Sequence, residues 1–393
     1  MVRILHTADL HLGSPIRSIA LRNPDLGQRL QQSSRNTFSR IVDLAIDEQV
    51  DALVLAGDIF DNAQPDLRSR AFLISQLSRA SEVGVPTVLI RGNHDALLDH
   101  KAHGDLGSNI HLLHKDFPTV EIGNAAFHGL SFDKAHVANS FLPDYPSPVA
   151  GKHNIGLMHT SLDGAQGHDP YAPCAAGDLM THGYDLWCLG HIHAPSEQVD
   201  GDVLIVMPGI PQPRHFGERR GGSVTLITLG DGAPKTERRL VGQLGFSECT
   251  LDLQSCTDQQ EVLRNLREVL VAEKVEGRDT AVRLHVTSDR YNTEWVAELA
   301  AEVLENIDGV FLDKVKSAPP QGTADEQADE LVRLMYDELA EDGFQQTALH
   351  VLEELRAVLP SEIAEELEEE PLDELLKEAI NEVSLTLNSG SSS

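Results

Sequence analysis

"VDALVLAGDIFDN", Val50 to Asn62, decides how this chain folds. Ala52 to Leu55 form an apolar run of strand type, and the turn after it delivers Asp58 at the strand exit and Asp61 three positions on. By itself the turn reads as an ordinary acidic strand ending, because Asp and Gly are common turn residues. A functional reading requires other strands to end with side chains of the same chemistry.

They do. "HTADLHLGS" brings Asp9 and His11, "IRGNHDA" brings Asn93 and His94, "GLMHTS" brings His159, and "CLGHIHA" brings His191 and His193. Each follows an apolar run and stands beside Gly or a small residue. Continuous apolar strands separated by helical stretches, such as "RNTFSRIVDLAIDEQ" and "RSRAFLISQLSRASEVG", indicate a sheet buried on both faces. Side chains from several C-terminal strand ends converge in the crevice above such a sheet. "VLIVMPG" and "SVTLITLG" follow with little helix between them and suggest a second, partly antiparallel sheet.

Seven imidazole, carboxylate and amide ligands (Asp9, His11, Asp58, Asn93, His159, His191 and His193) exceed what one tetrahedral ion takes and suit two ions sharing a carboxylate. Asp58 is the natural bridge, since its two oxygens can reach both. Mixed nitrogen and oxygen ligation favours Mn²⁺, with Fe or Zn²⁺ as alternatives, over Mg²⁺ or Ca²⁺. Two such ions activate a bridging water and clamp a phosphoryl oxygen. His94, next to ligand Asn93, is expected beside the metals as the proton donor, with Asp95 orienting its ring.

Composition sets bounds around this reading. With 41% hydrophobic residues in 393, two or three packed domains are expected. No apolar run is long enough to cross a bilayer, and a first strand from Val2 is expected to leave no room for a signal peptide. The four cysteines form no close metal pair, so free thiols and a cytoplasmic setting are expected. The net charge is −31, and residues 321–393 hold 20 acidic against 3 basic side chains, leaving 42 and 28 in the body. The acidity is therefore concentrated in the tail, and a basic surface on the body is still allowed.

Three regions follow. Residues 1–240 form the metal-bearing domain, and 241–320 read as a compact βαβαβ unit. Residues 321–393 are an acidic helical tail with stripes at Ala348, Val351, Leu352, Leu355 and Leu359 and at Leu375, Leu376, Ala379, Ile380 and Val383. The end, "NSGSSS", reads as a flexible tail. "RHFGERR" supplies Arg214, His215, Arg219 and Arg220 as a candidate basic lip for a phosphate backbone, with a solvated loop as the alternative. His168 and Tyr171 are candidates to border the cleft; His100, His103, His111 and His114 show no convergent pattern.

D-x-H, GD, GNHD, H and GH-x-H in this order resemble the calcineurin-like metallophosphoesterase superfamily. "TADLHLGSPI", "HGLSFD", "LMHTSLDGAQGHDPYAPC" and "PGIPQPRHFGERRGG" resemble its SbcD-like DNA-repair exonuclease branch and, within that, YhaO-type proteins. The likeness covers roughly residues 1–230. It implies an α/β fold, a two-sheet sandwich flanked by helices, with a small α/β capping domain after it. It assigns Asp9, His11, Asp58 and His193 to one metal, Asp58, Asn93, His159 and His191 to the other, and catalysis to His94. It implies DNA as substrate and a coiled-coil ATPase of the SbcC or YhaN type as partner, gripped by a helical segment after the cap, with a homodimer left open and no membrane. Rival readings are a phosphomonoesterase, a small-nucleotide phosphodiesterase, and a metal-binding scaffold with little turnover. Phosphatases of the superfamily follow the bridging Asp with an Asp-Arg pair, whereas here Ile59-Phe60-Asp61-Asn62 follows Asp58.

Overall fold

The computed structural model describes residues 1–14, 24–62, 65–97, 107–134, 137–163, 171–230, 232–288 and 290–317, and the isolated helical positions 335, 348 and 351. His168, His100, His103 and the helical tail, apart from those three positions, lie outside the described residues. Two compact units are present: residues 1–15 with 29–245, and residues 16–28 with 246–393.

The first unit is built on two six-stranded sheets. Strands β1 (Val2–Thr7), β2 (Ala52–Ala56), β3 (Thr87–Ile90) and β4 (Ile110–Leu112) run parallel in the first. Its other edge is β11 (Ser223–Leu229), antiparallel to β1, and β12 (Lys235–Leu240), antiparallel to β11. The second sheet has the order β5 (Thr119–Ile122), β6 (Ala125–Gly129), β7 (His153–His159), β8 (Leu186–Gly190), β10 (Val203–Met207) and β9 (Ser196–Asp200). Its four inner strands are parallel, and antiparallel pairing is confined to its two edges. The expected second sheet is therefore present but differently made: "VLIVMPG" joins it in parallel, whereas "SVTLITLG" returns to the first sheet. The connection after β10, which includes a 3₁₀ turn at Phe216–Glu218, makes that return.

Alternation along each strand fills two layers from one sheet. Leu5, Leu53, Leu55 and Leu89 pack on helices α1 (Pro24–Asp47) and α2 (Leu67–Glu82) through Phe38, Ile41, Leu73 and Leu77. Ile4, Val54, Val88 and Ile90 face the second sheet, meeting Phe127, Ile155, Leu157, Cys188 and Val206. The far side of the second sheet is closed by Trp187, Tyr184, Tyr145 and Leu179, the last from α3 (Ala176–Thr181). Helix α2 starts where the Asp66 side chain accepts the backbone N–H groups of Arg68 and Ser69, a standard cap for otherwise unpaired helix donors.

In the second unit β13 (Leu244–Asp252), α4 (Gln259–Ala272), β14 (Asp279–Thr287), α5 (Thr293–Leu304) and β15 (Val310–Ser317) follow the βαβαβ order read from the sequence. Asp258 and Asn292 cap the two helices, and Leu266, Leu270, Leu284, Val296 and Val303 share its core. No described helix is long and apolar enough to cross a membrane.

His6 shares the buried side of β1 with Ile4 and is fully enclosed. Burial pushes its imidazole down to about 3, with the Leu189 backbone partly offsetting this. The unfolded chain binds a proton at His6 near pH 6.5, which the folded chain refuses. The stability from neutral His6 is thus complete above that pH and is lost as pH falls towards 3. His6→Leu is expected to flatten the drop in urea midpoint between about pH 7.5 and about pH 5; an unchanged drop would contradict this account.

Candidate metal centre

Within each sheet, neighbouring strand exits are stitched together by backbone. Asp9 N–H donates to Gly57 O at 3.1 Å, His11 N–H to Asp58 O at 3.1 Å and Leu12 N–H to Ile59 O at 2.9 Å, so the loops after β1 and β2 continue the parallel pairing. Thr160 N–H donates to Gly190 O at 3.2 Å, which does the same for β7 and β8. Left-handed backbone concentrates here. Of the seven described non-glycine residues with positive φ, four are candidate ligands: Asp9 (55°), His11 (44°), Asp58 (48°) and His191 (99°). Such conformations are uncommon outside glycine and cluster where surrounding structure holds them for a purpose.

All seven expected ligands come together. Asp9, His11 and His193 form one group of converging donor atoms, Asp58, His159 and His191 another, and His11, Asp58 and His94 a third, with atoms inside each group within 4.8 Å. Asn93 Oδ1 lies 3.0 Å from His159 Nε2, which is also 3.2 Å from Asp58 Oδ2. Asp58 Oδ1 accepts the His94 N–H at 3.0 Å. The His191 N–H reaches both Asp9 oxygens at 3.1 Å. Asp9, His11, Asp58 and His159 are buried, and His94 is exposed at the edge of the cluster.

Whether these residues suit a cation is answered by the histidine nitrogens. His159 Nδ1 donates to Ala56 O at 3.0 Å, His193 Nδ1 is 2.7 Å from Glu218 Oε1, and His11 Nδ1 is 3.1 Å from Asp61 Oδ1. With Nδ1 turned to an oxygen in each case, Nε2 is the nitrogen offered to the centre, the pattern of metal-binding histidines. The Nε2 atoms of His11 and His193 face each other at 3.2 Å. With both Nδ1 atoms turned outwards, the two Nε2 atoms face one small gap, an arrangement that suits a cation between them. Burial, and then Arg214, push His11 down to about 3, which keeps it neutral. Burial opposes ionised Asp58, but His159 holds it well below the ordinary carboxylate range. Burial pulls the other way on His159, which Asp58 lifts to about 9, so a cation entering here displaces a proton.

Close backbone approach makes the pocket possible. A Cβ on Gly92 would stand 2.2 Å from Asp58 Oδ1, and one on Gly190 would stand 2.1 Å from Ala56 O.

Three expectations change. Asp95 does not orient His94: its oxygens accept the N–H groups of Ile59 at 2.9 Å and Gly92 at 2.7 Å, tying the exits of β2 and β3 together. Burial and then Asp58 raise it to about 7. The His94 ring is held instead by the Asp61 carbonyl, which accepts from Nδ1 at 2.8 Å. Arg214 is no exposed lip residue, because its guanidinium lies between Asp61 Oδ1 (3.1 Å) and Glu218 Oε1 (2.8 Å). His215 likewise turns to Glu218, at 3.3 Å, leaving Arg219 and Arg220 as the exposed pair. Tyr171 packs edge-on against His191, ring centres 5.3 Å apart. Reading strand ends missed two carboxylates beside the histidines. Asp61 lies inside the opening stretch but past the strand end, and Glu218 is 25 positions beyond His193 in a 3₁₀ turn with no local signature.

Residues 2–195 match the calcineurin-like phosphoesterase family, and this chain carries a calcineurin-like metallophosphoesterase domain, a hydrolase class that uses divalent metals. It is 27% identical over 307 residues to the uncharacterized metallophosphoesterase YhaO of Bacillus subtilis, covering 77% of this chain and 75% of that protein. It is 27% identical over 280 residues to the DNA double-strand break repair protein Mre11 of Sulfurisphaera tokodaii, covering 68% and 69%. With Mre11 of Saccharolobus solfataricus it shares 30% over 216 residues, covering 52% and 54%.

Gly92→Ala is expected to displace the Asp58 carboxylate and lower bound metal while the circular dichroism spectrum stays native. Elemental analysis of the purified variant checks this, and wild-type metal content in it would contradict the close-approach argument.

Proposed function

We propose that this chain is a dinuclear metal-dependent phosphodiesterase acting on DNA, an exonuclease of repair or end processing. The observation that supports it most is the meeting of six donors from both sheets around a seventh, the buried carboxylate Asp58. In this proposal Asp9, His11, Asp58 and His193 hold one ion, and Asp58, Asn93, His159 and His191 hold the other. Mn²⁺ is the proposed metal, with Fe or Zn²⁺ as alternatives. When bound, the ions supply an activated water and a clamp on the phosphoryl oxygens.

The protein's own groups do the rest. His94 sits at the exposed edge with Nδ1–H fixed on the Asp61 carbonyl, so it is the imidazolium form whose Nε2 hands a proton to the leaving oxygen and returns to the neutral ring. Its ring stands edge-on to His11, centres 4.9 Å apart, which keeps it next to the ligands. Arg214 is occupied by two carboxylates and is not offered to a dianionic phosphate. A diester, with less charge to neutralise, suits such a site better than a monoester. The relatives described as double-strand break repair proteins support DNA as the substrate, and exposed Arg219 and Arg220 are candidate contacts to its phosphates. We extend the proposal to residues 241–320 as a capping domain and to 321–393 as the arm that docks a coiled-coil ATPase.

Digestion of end-labelled DNA with Mn²⁺, alongside small chromogenic diesters and monoesters, tests this reading. The wild-type protein is expected to cut DNA and prefer the diester. Asp58→Asn is expected to lose both ions and activity. His94→Ala is expected to keep both ions and lose about 10²–10⁴-fold in rate. Metal loss in the His94 variant, or two ions and full activity in the Asp58 variant, would refute the assignment.

A further inference from the structure

Arg214 closes a ring of polar contacts. Its Nη1 reaches Asp61 Oδ1 at 3.1 Å, and Asp61 Oδ1 is 3.1 Å from His11 Nδ1. On the other side its Nη2 donates to Glu218 Oε1 at 2.8 Å and its backbone N–H to Glu218 Oε2 at 2.7 Å. Glu218 Oε1 meets His193 Nδ1 at 2.7 Å, and His11 Nε2 stands 3.2 Å from His193 Nε2. One guanidinium therefore holds the two carboxylates that hold the outer nitrogens of two histidines whose inner nitrogens converge.

We propose that Arg214 is a positioning residue for one of the two metal sites, the one formed by Asp9, His11 and His193 with Asp58. This rests on the metal-centre reading above. Two carboxylates held on one guanidinium repel one another once it is removed, and each competes for any nearby cation. Burial opposes the ionised form of Glu218, and Arg214, with His193, overcomes it and keeps the carboxyl well below its usual range. Asp61, likewise opposed by burial, is brought to about 2 by His11 and Arg214. Without the guanidinium, Asp61 and Glu218 lose the donor that fixes both of them, and the rings of His11 and His193 lose their fixed orientation. The planar fork matters. Nε and Nη2 both lie near Glu218 while Nη1 reaches Asp61, which the single ammonium of lysine cannot reproduce. The His159 side has a separate outer support, Ala56 O on Nδ1, which Arg214 does not touch.

The experiment is Mn²⁺ titration of metal-free full-length protein, followed by electron paramagnetic resonance and calorimetry, for wild type, Arg214→Met, Arg214→Lys and Glu218→Gln. Thermal melting of each variant runs in parallel. Two ions are expected in the wild type. In Arg214→Met and Glu218→Gln one ion is expected to bind about 10–100-fold more weakly, the usual cost of losing an outer partner of a ligand, while the other keeps its affinity. Arg214→Lys is expected to recover only part of the loss. If Arg214→Met does not fold, Glu218→Gln, which keeps the side-chain shape, carries the test alone. A lowered melting temperature with both affinities unchanged would make Arg214 merely structural and overturn the proposal. Equal weakening at both sites would overturn its selectivity. A wild type that binds no pair of ions would overturn the metal-centre reading itself, and is told apart from failure of this proposal by the wild-type titration.

Discussion

Asp58 must be ionised in a place that water barely reaches. Burying a carboxylate is costly unless cations and hydrogen-bond donors surround it. The first unit supplies them from three directions: the His159 ring, the His94 N–H, and the convergent face of the histidines around it. Gly92 and Gly190 have no side chain because the carboxylate and a backbone carbonyl occupy the space a Cβ would need. The left-handed turns at Asp9, His11, Asp58 and His191 follow from the same requirement, since a strand that simply continued would carry its side chain to a sheet face instead of over the sheet edge.

Around this centre lies an outer layer of oxygen atoms. Ala56 O, Asp61 and Glu218 each take the Nδ1 side of one histidine, which decides the nitrogen that faces inwards. The two carboxylates of that layer are themselves balanced by Arg214. The charge pattern from the middle outwards is thus carboxylate and imidazole, then carboxylate, then guanidinium, set at the strand exits of the sandwich.

The strands that carry the candidate ligands could be read from the sequence because each is a short apolar run ended by a turn residue, and the donors follow at once. Asp9, His11, Asp58, Asn93, His159, His191 and His193 follow from the rule that strand ends of one sheet converge, but the fold draws them from two: the first four leave β1, β2 and β3 of the first sheet, and the three histidines leave β7 and β8 of the second. The second sheet was less legible. Its inner strands are parallel even where little helix separates them, and its edge strand β5, Thr119-Val120-Glu121-Ile122, has no continuous apolar run to mark it. The role of Arg214 was hidden for a different reason: Asp61 lies 153 positions away in sequence, and nothing local marks the two as partners. Asp95 misled because its neighbour His94 suggested a pair, whereas its oxygens are taken by the backbone of two loops.

The central claim is that Asp58 stands between two metal ions. Anomalous diffraction at the manganese absorption edge, from crystals grown with Mn²⁺, tests it directly. The account predicts two anomalous peaks about 3.5–4 Å apart, with one Asp58 oxygen on each. A single peak, or two peaks that Asp58 does not join, would contradict it.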